Sequence, residues 1–205
     1  MTGKDVKNPE ESWAELVKEF GNDHPPLTPG LSKAFKYDPF SLMWHVSWFK
    51  FAGKMIGGRG HVLVYDHLEG LGGWTVACET QSVLTMLGKD DFLERISAGW
   101  NSEKIKFLKS EQDVPKGNYG GAIRFDPGDE ENRVNWGDFF RSAADLLDSD
   151  GVVVAGGIRV GLEDVLKNTA GKNFRHVFMF GRGQVHPCVS PAEAVIVLAC
   201  CPLHK

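Results

Sequence analysis

At 205 residues with 42% hydrophobic content, the chain is long enough for one domain with a buried core, which excludes disordered and fibrous classes. A formal charge of −4 with a pI near 6.0 lacks the cationic excess of a protein that tracks a phosphate backbone, so nucleic acid is not the expected partner. No run approaches the ~18–20 apolar residues of a membrane span, and the opening MTGKDVKNPEESW has no apolar h-region; the expectation is no membrane and a cytoplasmic location.

Residues 1–39 combine an acidic amphipathic piece, Glu10 to Phe20, with the turn-rich connector Asn22-Asp23-His24-Pro25-Pro26 and a further Pro29. They read as an N-terminal extension, with the α/β domain over 40–205. From Phe40 to Met55 the residues Phe40, Met43, Trp44, Trp48, Phe51 and Met55 recur at helical spacing, with Lys50 and Lys54 turned away. Gly57, Gly58 and Gly60 end that helix. The aromatic set Trp44, Trp48, Phe49 and Phe51 reads as core or interface, or as the wall of a pocket.

Short β-rich runs follow at His61–Tyr65, Val83–Leu87, Ile105–Leu108, Ala122–Phe125 and Val152–Ala155, alternating with helical segments. That alternation predicts a parallel sheet covered by helices. Asn135 opens a helix whose apolar face is Phe139, Phe140, Ala143, Ala144 and Leu147, stopped by Asp150-Gly151. The Gly-rich stretch Ala155 to Gly161 lacks the Lys-Ser/Thr ending of a phosphate-binding loop and reads as a flexible strand exit. The last runs, His176–Phe180 and Ala194–Ala199, are joined by a loop with no helix long enough for a parallel crossover, so they pair antiparallel.

This order resembles that of the class I S-adenosylmethionine-dependent methyltransferases over roughly residues 37–202. The resemblance rests on Gly57-Gly58-Arg59-Gly60 leading into His61–Tyr65, followed by Glu69-Gly70-Leu71-Gly72-Gly73-Trp74. It continues through Ile105–Leu108 with Asp113-Val114-Pro115, Phe139-Phe140-Arg141 with Ala144–Val154, and the closing strands Val177–Phe180 and Ile196–Cys201. It implies an α/β, Rossmann-like, seven-stranded and mostly parallel sheet with an antiparallel terminal hairpin and helices on both faces.

The resemblance also implies an acid near the end of the first strand and then a turn with alternating glycines. Read with Val64 at the acid's position, Asp66 and Leu68 replace the first two glycines and Gly70 alone remains. A leucine there predicts steric closure or a rearranged loop. At the end of the second strand Leu87 stands where an acid for the ribose hydroxyls is implied, and a slip of register brings Asp90, between Lys89 and Asp91, into play. After the third strand Glu111 and Asp113 are the candidates for an adenine contact. Asp126 ends the fourth strand, where the family lines its acceptor pocket; with Asp129, Glu130 and Glu131 it reads as a solvent-facing turn.

His67 and Glu69 follow the first strand at the end of the sheet where open α/β folds bind ligands. His67 has the chemistry of a general base for an acceptor hydroxyl, or simply fills the altered turn. His186 and Cys188 are too few for a zinc site. Cys78, Cys188, Cys200 and Cys201 show no CxxC spacing and read as buried or free thiols.

The degenerate cofactor site therefore comprises Asp66, His67, Leu68, Glu69, Gly70, Leu87 and Asp126, with no catalytic and no metal-binding residue assigned. The expected function is a methyltransferase-like, non-catalytic binding or structural subunit without a cofactor, paired with a protein partner or forming a homo-oligomer. The alternative is an active S-adenosylmethionine-dependent methyltransferase acting on a small molecule or sugar.

Overall fold

In the computed structural model, which describes residues 29–87, 104–108, 110–115, 119–128, 133–181 and 194–203, the seven apolar runs form seven strands of one sheet. β1 (His61–Tyr65), β2 (Val83–Leu87) and β3 (Ile105–Leu108) have the bounds expected from the sequence. β4 (Tyr119–Asp126), β5 (Leu147–Ile158), β6 (Phe174–Gly181) and β7 (Ala194–Pro202) run longer. The strand order is β3-β2-β1-β4-β5-β7-β6. β7 is antiparallel to both of its neighbours, and the other ladders are parallel.

The middles of the central strands, Val62–Val64 in β1 and Val152–Ala155 in β5, are apolar and buried, as a sheet covered on both faces requires. On β1, Val62 and Val64 point to one core cluster and Leu63 to the other. The Val62 face is covered by α1 (Pro29–Tyr37), α2 (Pro39–Ile56) and α3 (Leu71–Glu79), the Leu63 face by α4 (Trp136–Leu146) and α5 (Leu162–Ala170). α1 lies within the segment read as an extension, and its Leu31 is buried in the same cluster as Val62.

α2 starts where the sequence places it, with Pro39 in its first turn and the Asp38 carboxylate accepting the Ser41 N–H at 3.2 Å. Its buried face differs from the expected one. Leu42, His45, Trp48, Phe49, Ala52, Gly53 and Ile56 are buried, whereas Phe40, Met43 and Met55 are 68%, 52% and 40% exposed. The reason is the crossing of α3. A Cβ on Gly53 would come within 2.9 Å of Glu79 Cβ, so small residues set the contact line rather than the large ones. Lys50 and Lys54 are exposed as expected, and both reach Glu79 on α3, at 3.5 and 3.9 Å.

α4 is capped by Asn135, whose side chain accepts the Asp138 N–H at 3.3 Å, and it buries Trp136, Phe139, Phe140, Ala143 and Ala144. Leu147, expected on that helix, is already the first residue of β5. The glycine-rich stretch is likewise not a flexible exit at its start, because Ala155 to Ile158 are strand residues. A Cβ on Gly156 would collide with the Val195 carbonyl of β7, and one on Gly157 would come within 2.9 Å of Asp126 Cβ. Close packing against neighbouring strands, not mobility, is what these glycines serve. α5 then follows directly, a helix not anticipated from the sequence.

Among the described residues no helix is long and apolar enough to cross a membrane, and Cys78, Cys200 and Cys201 are free thiols. The Glu10–Phe20 piece and its connector, Asp90 with its neighbours, Asp129 to Glu131, and His186 with Cys188 lie outside the described residues.

Candidate functional site

From β1 the chain moves outward to β2 and β3, then returns to β4 on the other side of β1. The order reverses between β1 and β4, and at such a switch point the loops leaving the carboxyl ends of the two strands part to form a crevice. Those loops carry Asp66 to Gly70 after β1 and Pro127 after β4.

Asp66, the first residue beyond β1, organises its own turn. One carboxylate oxygen accepts the Leu68 N–H at 2.6 Å, the other the Gly73 N–H at 2.8 Å. Burial raises its pKa from the ordinary carboxylate value to about 6, even though the N–H groups of Gly73, Leu68, Gly70 and Gly72 pull the other way. An acid therefore does stand at the end of the first strand. Val64, to which the sequence register assigned that place, is a core residue with no exposure. Counted from Asp66 in steps of two, the turn reads Leu68, Gly70, Gly72, so two glycines follow the acid rather than one.

Leu68 neither closes the crevice nor strains the turn. Its side chain is buried in the cluster with Leu31 and Leu42, and the left-handed residues are the next two, Glu69 at φ 50° and Gly70 at φ 99°. Glu69 accepts a hydrogen bond from the Leu31 N–H and so ties the first turn of α1 to the β1 turn; burial nonetheless raises its pKa. Gly70 caps α3, and with no side chain over the turn it leaves the helix start open to approach. Gly72 and Gly73 serve packing, since a Cβ on either would meet Phe49 or Met86.

Leu87 ends β2 and lies buried in the core, its carbonyl accepting the Asp66 N–H at 3.0 Å. No acid occupies the last residue of β2. Asp126 is not the solvent-facing residue read from the sequence: it is 3% exposed, held under β5, with its carboxylate accepting the Gly128 N–H at 2.9 Å. Asp113 is exposed in a short 3-10 turn, Glu111 to Asp113, after β3.

Between α1, α2 and the two loops lies a cavity of about 290 Å³. Leu31, Ala34, Leu42, Leu68 and Pro127 make its apolar lining, and Asp38, Ser41, His45, His67 and Glu69 bring polar groups to it. His67 thus has a partner invisible in the linear sequence. The His45 ring stands edge-on to it at 4.9 Å between centroids, with Phe49 on another side at 5.4 Å. Both nitrogens of His67 and Nε2 of His45 are buried without a hydrogen-bond partner. Burial, reinforced by the neighbouring His45, lowers the pKa of His67 to about 3. Burial lowers that of His45 to about 4 against the opposing pull of Asp38. Both rings are neutral at pH 7. Among the described residues no group of three His, Cys, Asp or Glu side chains converges as a metal site.

His45 could have been found from its spacing. Leu42, His45, Phe49, Ala52 and Ile56 form a helical stripe, and a histidine on such a stripe is a candidate once the stripe is known to face a ligand crevice.

No protein-family profile and no curated protein matches the chain. Solved structures do. N-methyltransferase NodS from Bradyrhizobium japonicum WM9, in complex with S-adenosyl-L-homocysteine, is similar with a TM-score of 0.59 at 13% identity, over 97% of this chain and 100% of that one. The tRNA (m1A58) methyltransferase TrmI from Aquifex aeolicus gives 0.60 at 14%, over 78% of this chain and 69% of that one. A SAM-dependent O-methyltransferase from Thermotoga maritima gives 0.58 at 9%, over 78% and 65%. At such low identity the likeness is one of architecture, and the architecture of this chain is the seven-stranded, Rossmann-like fold of the class I S-adenosylmethionine-dependent methyltransferases.

Proposed function

We propose that this chain is an S-adenosylmethionine-dependent methyltransferase acting on a small molecule, with the cofactor over the β1 turn and the acceptor in the cavity beneath α1 and α2. The observation that carries this reading is the cavity's position: residues from the β1 turn and from the end of β4 line it together, at the reversal of strand order. The residues present fit such a cofactor at the β1 turn, where Asp66 holds the loop and Gly70 offers uncovered left-handed backbone.

When bound, the cofactor supplies an electrophilic methyl group on a sulfonium. The chain's own residues do the rest. Asp66 fixes the turn, so that its backbone is preorganised rather than ordered on binding. Leu31, Leu42 and Leu68 give the cavity apolar walls. His67, neutral at pH 7, offers a hydrogen-bonding group that orients an acceptor, but with its pKa lowered to about 3 it is too weak a base to serve as the general base read from the sequence.

One observation favours a second reading, a non-catalytic binding subunit. Leu87 is apolar and buried at the strand end where the resemblance implies a ribose-binding acid. In that case Phe40 and Met43, exposed on α2, offer apolar surface to a protein partner or second copy.

Calorimetric titration with S-adenosylmethionine and S-adenosylhomocysteine separates the two. Micromolar affinity supports the enzyme; absence of binding at millimolar ligand removes it and leaves the binding subunit.

A further inference from the structure

Resting on the reading that the cavity is the acceptor site, we propose that its ligand is a small uncharged hydroxy compound, about the size of a monocyclic phenol, whose hydroxyl is held between His45 and His67. Three buried imidazole nitrogens without partners are the starting point. Buried polar groups in folded proteins are nearly always paired, and leaving one unpaired costs ~1–3 kcal/mol. A natural account is a partner that arrives with the ligand.

The chemistry of that partner follows from the rings. Each neutral imidazole offers one N–H donor and one lone pair. With the two rings edge to face at 4.9 Å, a single hydroxyl donates to one ring and accepts from the other. An ammonium group needs a lone pair from both rings and a carboxylate an N–H from both, whereas a hydroxyl takes one of each. Asp38 and Glu69 on the same lining further disfavour an anion.

The body of the ligand is set by the walls. Leu31, Ala34, Leu42, Leu68 and Pro127 suit hydrocarbon, and the cavity of about 290 Å³ exceeds the ~150 Å³ that accommodates benzene. A half-turn of an imidazole about its Cβ–Cγ bond exchanges nitrogens for carbons of the same shape. As the ring stands both His67 nitrogens are buried, so the half-turn is the movement that brings a nitrogen to the positions its carbons now hold.

The test uses the full chain without cofactor, titrated with phenol, toluene and benzoate while the imidazole 15N resonances are followed by long-range 1H–15N spectra. Phenol is expected to bind roughly tenfold tighter than toluene, a difference of about 1.4 kcal/mol, and to move the His45 and His67 nitrogens. His67→Phe is expected to bring phenol down to the affinity of toluene. Phenol no tighter than toluene, benzoate as tight as phenol, or unmoved nitrogens in the unmutated chain would overturn the proposal; the last needs no variant to fold. Phenol preference without any affinity for S-adenosylmethionine keeps this inference and removes the methyltransferase reading. Cofactor affinity without phenol preference does the reverse.

Discussion

The ring of His67 meets that of His45 edge to face, at 84° between planes, and neither ring spends its buried nitrogens on a protein partner. Two neutral histidines in mutual contact couple the cavity wall to acidity, because each must lose its protonated form to fold.

That coupling predicts an acid-sensitive protein. The folded pKa values, about 4 and about 3, lie below the ordinary 6.5, so the unfolded chain binds more protons between those limits and stability falls as pH drops through the window. Asp66, raised to about 6, acts in the opposite sense between its ordinary value and 6, where the native state holds the extra proton. Two imidazoles outweigh one carboxylate, at up to about 1.4 kcal/mol per pH unit for each proton. Urea unfolding at pH 7, 6 and 5 should show declining stability, flattened in His67→Phe. An unchanged slope in that variant would remove His67 as a source.

Replacing Asp66 with Ala strips the acceptor from the N–H groups it serves in its turn. A loss of about 2–4 kcal/mol is expected, and a smaller one for Asp66→Asn, which keeps one carbonyl oxygen. Equal stability of the Ala variant in chemical denaturation would mean that water replaces the carboxylate.

Gly156→Ala should be among the most damaging single-methyl additions, since the new Cβ faces the Val195 carbonyl and, at 2.9 Å, the Ile196 Cα, both backbone of a paired strand. A cost of about 3 kcal/mol or more is expected. Gly58→Ala, with nothing within 4 Å of the added atom, is the control and should stay within about 0.5 kcal/mol. Melting curves of the pair decide it.

Asn135→Ala removes the side-chain acceptor for the Asp138 N–H and the partner of the Asp138 carboxylate at 2.7 Å. About 1 kcal/mol of stability should be lost. Asn135→Asp, which restores the acceptor but replaces the donor to Asp138 with a second carboxylate, should recover only part of it in the same unfolding assay.

The strands were legible because valine-, leucine- and isoleucine-rich runs bounded by glycines or charges have little alternative to a buried sheet, and β1, β2 and β3 fall where those runs fall. The α2 face was not, because Ala52 and Gly53 govern its contact with α3 while Phe40 and Met43 dominate any count of apolarity. The β1 turn was legible only as a run of residues: that Asp66 is the first residue past the strand and holds the turn with its carboxylate depends on where β1 ends and on contacts to Leu68 and Gly73. His45 was missed because its relation to His67 is tertiary, created when α2 folds over the carboxyl end of β1.

The place of β7 between β5 and β6 governs the order in which the sheet can assemble. During synthesis β6 emerges with no strand to join, because β7, its sole ladder partner among the described residues, has yet to be made. β7 bonds along both of its sides, so the sheet is complete only once it lies between β5 and β6. A ribosome pausing between residues 181 and 194 would hold the nascent protein with the edges of β5 and β6 open, the condition in which strands pair with the wrong neighbour.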